Sequence, residues 1–210
     1  MTYKMYLLDI QDLEDKSISD KAMALIDDKR KRIANKYCKE KDRLRAIAAG
    51  LLLQIGFCET EFEEDEFCVL SCKELIHYMQ SSKRTFPIPI EYGEGEYGKP
   101  FWNKRAMEKE FAFKKHWFFN LSHSGRYVVL ITANQEVGVD IQEEREVKRF
   151  PGGYQEFSRM EAFVKCTGDG YAHGCQEYQK YNGSIPGYKI ESRQLFENYV
   201  LSICYLENNS

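Results

Sequence analysis

No stretch of the 210 residues approaches the roughly 18 consecutive apolar residues of a membrane-spanning helix. The opening segment, MTYKMYLLDI, has no basic stretch leading into an apolar run and a cleavage site. A membrane span and a secretory leader are therefore not expected, and the cytoplasm is the expected location. Neither sign of charge dominates, since 30 Lys and Arg stand against 33 Asp and Glu for a formal net charge of -3. So weak a global field argues for neither nucleic acid nor a membrane surface as partner, and any anion must be held by local charge. The seven cysteines, at 38, 58, 68, 72, 166, 175 and 204, are odd in number and lack the dense, regular spacing of a disulfide framework. Reduced thiols are expected. Short repeats and low-complexity linkers are missing as well.

What is present is enough apolar material, 43% of the chain, for one large domain or two small ones packed together. Residues 3–10 read as a strand. Ser19 and Asp20 offer caps for a helix that runs through Ala22, Leu25 and Ile26 into the basic stretch Lys29 to Arg32. A second helix is expected from near Asp42, because Leu44, Ile47, Ala48, Leu51, Leu52 and Ile55 keep a three-four spacing, with Gly56 as its stop. Glu59 to Glu66 reads as a solvated loop or strand edge, and Ser71 to Ser81 as a short helix. The glycines and proline of GEGEYGKP predict a loop. Residues 116–121, 126–133 and 136–141 read as strands, the last two joined as a hairpin by Asn134-Gln135. Phe157 to Cys166 reads as a helix ended by Gly168 and Gly170, and strands follow at 187–192 and 198–206.

This order predicts an α+β fold rather than alternating parallel units. The expected arrangement is two similar halves, 1–105 and 106–210, related by a pseudo-twofold. Each would be a small, mostly antiparallel sheet packed with helices, with an active site in the cleft between them.

The sharpest local signal is Val137-Gly138-Val139-Asp140-Ile141-Gln142, where a carboxylate interrupts an apolar strand and demands compensation. One reading is an Asp that accepts backbone hydrogen bonds at a strand end. Glu161 supports another. It shares a helix face with Lys165 four residues on, and a helix laid against the strand could bring Glu161 to Asp140. Two converging carboxylates suit a hard divalent cation such as Mg²⁺. His123, between Ser122 and Ser124 and before Gly125, occupies a polar bend between apolar strands, where a core histidine is less expected than one that contacts a ligand.

The ordered set GKP at 98–100, FNLSHSG at 119–125, VGVDI at 137–141 and FSRMEAFVKCTGDG at 157–170 resembles the Sfp-type 4'-phosphopantetheinyl transferases. Upstream, KDRLRAIAAGLLL resembles the family's Asp-x-x-Arg segment and leucine-rich helix, so the likeness covers most of residues 20 to 170. The resemblance implies an enzyme that moves the phosphopantetheine arm of coenzyme A, its substrate, onto a serine of an acyl or peptidyl carrier protein and releases 3',5'-ADP. It implies Mg²⁺ held by Asp140 and Glu161 with Gln142, catalytic roles for Asp140, Glu161 and Lys165, and coenzyme A contacts from Lys29, Arg32, Arg45, Gly98, Lys99, Pro100, Ser122 and His123. A chain with both halves is expected to work as a monomer.

The chain departs from the family pattern at three residues. Gln142 stands where many members have a second acidic ligand, Met160 replaces a lysine, and Phe157 replaces a tryptophan. Twenty residues lie between Asp140 and Glu161, fewer than in related enzymes. A coenzyme A-binding protein without efficient transfer is therefore one alternative. A zinc protein using Cys68, Cys72 and His77 is another.

Overall fold

The computed structural model describes residues 1–58, 65–103, 118–144, 150 and 152–207. Its architecture follows from side-chain parity. In β1 (Tyr3–Asp9), Tyr6 and Leu8 join one apolar core while Met5 and Leu7 join another. The same split divides β6 (Tyr127–Ala133), where Val128 and Leu130 go with the first set and Val129 and Ile131 with the second. Strands covered on both faces read as unbroken apolar runs, which is why YVVLITA shows no alternation.

These two strands form the centre of a four-stranded sheet in the order β2 (Glu66–Ser71), β1, β6, β5 (Phe118–Ser124), with β2 parallel to β1 and the other pairs antiparallel. A second sheet, β7 (Val137–Glu143), β9 (Tyr199–Leu206), β8 (Tyr188–Leu195), is antiparallel throughout. The outer face of the first sheet is covered by α1 (Lys16–Ala24), α2 (Asp28–Lys36), α3 (Glu40–Cys58) and α4 (Cys72–Ser81). The outer face of the second packs against α5 (Gly153–Thr167) and α6 (Tyr171–Lys180). The inner faces enclose a shared core of Met5, Leu7, Val129, Ile131, Val137, Val139, Ile141, Leu201 and Ile203. The fold is α+β, layered helix, sheet, sheet, helix. A small hairpin, β3 (Tyr92–Glu94) with β4 (Pro100–Trp102), stands outside both sheets.

The two sheets meet along β5 and β7 without a backbone ladder. Instead Asn120 Oδ1 accepts from Val139 N at 3.1 Å, Ser122 Oγ from Ile141 N at 3.3 Å, and Ser124 Oγ from Glu143 N at 2.9 Å. Each pair is 19 residues apart, so the strands run side by side in one direction. The alternate polar residues of FNLSHSG thereby satisfy the edge amides that β7 turns away from β9.

Several expectations need correction. The first helix is two: Asp15 caps α1 by accepting from Ser17 N, and Asp27 caps α2 by accepting from Arg30 N, while Ser19 is buried within α1. A second N-cap residue restarted the helix where apolar spacing alone suggested continuity. Gly56 does not end α3, which continues to Cys58; it lies instead where the helix packs on the Leu130 side chain of β6. Asn134-Gln135 makes no hairpin, since β6 pairs with β1 and β5 and β7 pairs with β9. The hairpin is β5–β6, turned at Gly125-Arg126. The expected loop at GEGEYGKP is the β3–β4 hairpin and its turn, and α6 was not expected at all.

Residues 59–64, most of the acidic segment, lie outside the described residues, as does 104–117 around the expected boundary at 105/106. Strands from both sides of that boundary share the first sheet, and sheet membership changes between β6 and β7. No disulfide joins the seven cysteines. Among the described residues, no helix is long and apolar enough to cross a membrane.

Candidate functional site

Parity also places the candidate carboxylate. Val137, Val139 and Ile141 face the core between the sheets, so Gly138, Asp140 and Gln142 face α5. Gly138 lets the helix come close, because a Cβ there would overlap the Ala162 carbonyl oxygen and the Cys166 amide nitrogen. Ser158 Oγ, on the same helix, donates to the Asp140 carbonyl at 3.2 Å.

Asp140 is 1% exposed, and both of its oxygens are engaged. Oδ1 accepts from Ser122 Oγ at 2.8 Å and from Lys165 Nζ at 2.5 Å, and Oδ2 accepts from Gln142 Nε2 at 2.9 Å. Lys165 Nζ also donates to Ser122 Oγ at 3.0 Å. The Ser122 hydroxyl, giving one bond and accepting from Lys165 and Ile141 N, has its capacity filled within the protein. Glu161, one turn before Lys165, is half-buried. Burial pushes its pKa above the ordinary carboxylate value and the Asp140 charge adds to this, with Lys165 opposing. No hydrogen-bond partner of the Glu161 carboxylate occurs among the described residues.

A half-buried carboxylate with no hydrogen-bond partner among the described residues, close enough to a second carboxylate to feel its charge, fits a hard cation. Mg²⁺ commonly takes one or two protein carboxylates and fills its shell with water and phosphate oxygens. Asp140 and Glu161 would hold it, and Gln142 could present its amide oxygen. Among the described residues no three of His, Cys, Asp and Glu gather as a metal-holding group. Cys68, Cys72 and His77 do not assemble one. Cys72 is buried at the start of α4, where its thiol donates to the Asp9 carbonyl at 3.0 Å.

Next to this group lies a cleft of about 280 Å³ walled by α2, α3, the β3–β4 hairpin and β5. Arg45, Gly98, Pro100, Ser122 and His123 line it, together with Arg30, Tyr92 and apolar Ile33, Ala46, Leu53 and Leu121. Arg45 is held in place by its bonds to the Gly125 carbonyl, from Nε at 3.0 Å and Nη2 at 2.6 Å, and by Asp42 at 3.2 Å. The His123 ring is open to the cleft yet hemmed in by protein. Desolvation, then the charges of Arg45 and Lys165, depress its pKa, so the imidazole is neutral near pH 7. Arg30 Nε and Tyr92 Oη are buried in the wall without a well-aligned partner among the described residues. Burial raises the Tyr92 pKa to about 12.

Three expected contacts fall elsewhere. Lys29 lies over the Tyr92 ring at 3.9 Å, donates to the Tyr92 carbonyl at 3.1 Å and pairs with Glu94 at 3.5 Å, behind two residues of the cleft lining rather than in the lining itself. Arg32 is exposed. Lys99 turns from the cleft to the end of α5. Arg30 was missed, although the phase of α2 could have found it: Arg30, Ile33 and Tyr37 share the stripe that lines the cleft, and residues 29 and 32 lie one position off it. No protein-family model matches the chain, and no curated protein matches it.

Proposed function

We propose that this chain is a 4'-phosphopantetheinyl transferase, moving the arm of coenzyme A onto a carrier-protein serine. The observation that carries the reading is the adjacency of two dissimilar sites. A carboxylate with no hydrogen-bond partner among the described residues, close enough to a buried one to feel its charge, adjoins a cleft lined by Arg30, Arg45 and His123 as well as Asp42 and Glu94. Coenzyme A has matching parts, a pyrophosphate that a carboxylate-held cation can grip and a 3'-phosphate that guanidinium groups can bind.

When bound at Asp140 and Glu161, Mg²⁺ supplies charge neutralisation at the pyrophosphate. Glu161 would take the proton of the attacking serine. Lys165, fixed by Asp140 and Ser122, is a cation in set position for charge that develops on the leaving 3',5'-ADP. Arg30 and Arg45 bind and orient the nucleotide end. Gly98 and Pro100 shape the wall through which it enters.

In this reading the halves are related by a pseudo-twofold that matches β1-β6-β5 with β7-β9-β8, two sets in the same antiparallel order. The repeats then run from residue 3 to 133 and from 137 to 206. The protein works in the cytoplasm as a monomer with acyl or peptidyl carrier proteins. Incubation with coenzyme A, Mg²⁺ and a panel of apo-carrier proteins, read by carrier mass, tests the proposal. Mass gain of one phosphopantetheine on a serine is expected. Coenzyme A binding with no carrier modified would replace the transferase with a coenzyme A-binding protein.

A further inference from the structure

We propose that Lys99 is a positioning residue that fixes the end of α5, and through it Lys165 and Glu161, rather than a contact for coenzyme A. The inference rests on the transferase reading above. The last carbonyls of a helix have no intrahelical partner and gather partial negative charge. In α5 one of them, Cys166 O, accepts from Lys99 Nζ at 2.5 Å. The same ammonium pairs with the Glu136 carboxylate. Its side chain is only 18% exposed.

The location matters as much as the bond. Glu136 immediately precedes β7, which carries Asp140, and Cys166 immediately follows Lys165. Lys99 therefore ties together the beginnings and ends of the elements that present all three charged groups of the site. It projects from a turn closed by Gly95 N donating to Lys99 O at 2.8 Å and Gly98 N donating to Gly95 O at 2.9 Å. That turn shows Gly98 and Pro100 to the cleft while Lys99 faces away from it. The chain after α5 leaves room for it. Gly168 has φ +73°, and a Cβ there would lie 2.9 Å from Lys99 Cδ. At Gly170 a Cβ would lie 2.8 Å from Tyr97 Cδ1, so the hairpin turn rests on glycine at two points.

The test compares Lys99→Met, Lys99→Arg and Glu136→Gln in the full chain by coenzyme A calorimetry, transfer kinetics and hydrogen exchange at residues 165–168. For Lys99→Met, kcat should fall about tenfold and exchange should quicken about tenfold, the scale of a partly buried cation at a helix C-terminus. Coenzyme A affinity should stay within about twofold. Glu136→Gln should move the same quantities in the same direction, the double variant should fall short of the product of the singles, and Lys99→Arg should recover most of the rate. Weakened coenzyme A binding with kcat unchanged would make Lys99 a ligand contact and overturn the proposal. Unchanged exchange in Lys99→Met would overturn it equally, and that readout holds even for a chain with no transferase activity, whose failure would count against the function alone.

Discussion

Cys166 lies directly over Gly138, with no room between the helix backbone and the strand for a side chain. The atoms that a methyl group would meet belong to the main chain of α5, so relief requires moving the helix. Gly138→Ala should therefore destabilise the fold by about 1–3 kcal/mol, the range for overpacking. Transfer should fall further than the loss of folded protein accounts for, because α5 carries Glu161 and Lys165. Thermal melts with rate measurements at a temperature where the variant is folded would show this. An unchanged melting temperature would mean that the helix is not seated as described.

Removing either carboxylate as its amide separates a metal site from a structural ion pair. Asp140→Asn and Glu161→Gln should each reduce transfer by at least about 100-fold, the scale of one lost transition-state charge contact. The double variant should be far from additive, since both groups would act through one ion. Gln142→Glu should retain or raise activity. Normal rates in both single variants would sink the proposed mechanism.

The raised pKa of Glu161 also predicts how stability changes with pH. Its folded value lies above the ordinary 4.5, so the folded chain holds this proton more tightly than the unfolded one. Stability is then unaffected well below 4.5 and declines as pH rises from there through the folded value. Glu161→Gln should melt with the wild type at the acid end and above it at neutral pH, in the absence of divalent cation. Added Mg²⁺ should raise the wild-type midpoint at neutral pH and leave Glu161→Gln nearly unmoved. A constant difference between the two chains across the pH range would show that Glu161 is not perturbed by its surroundings.

If the chain binds coenzyme A as proposed, the phase of α2 sets which of its basic residues reach the ligand. Arg30→Met and Arg45→Met should weaken coenzyme A about 10- to 100-fold, as expected for hydrogen bonds to charged groups. Arg32→Met should have less than about a twofold effect, as an exposed charge screened by solvent. Calorimetry at two salt concentrations reads both. A larger loss from Arg32→Met than from Arg30→Met would mean that the nucleotide lies along the outer face of α2.

Much of the site could be read from local pattern. Parity in VGVDI put Asp140 on the face away from its apolar neighbours, and a four-residue spacing put Glu161 with Lys165. Strand partners could not be read that way. Asn134-Gln135 is a plausible turn, yet β6 finds β1, more than a hundred residues earlier, because both strands must bury both faces. Lys99 shows the same limit at a single side chain. The family resemblance implied a coenzyme A contact there, while the bonds Lys99 makes are to a helix end and a glutamate that lie far along the chain. α6 carries only Gly174 and Tyr178 as buried residues and so has no stripe to announce it.

The join between β5 and β7 has a consequence for how this protein can change. A main-chain ladder is nearly indifferent to the identity of the residues along it, so mutation rarely opens one. Here the contact is spelled by three letters, Asn120, Ser122 and Ser124. Each can be rewritten by one substitution while either sheet keeps its own pairing. Relative placement of the cleft and the carboxylates is thus open to gradual adjustment, one rung at a time.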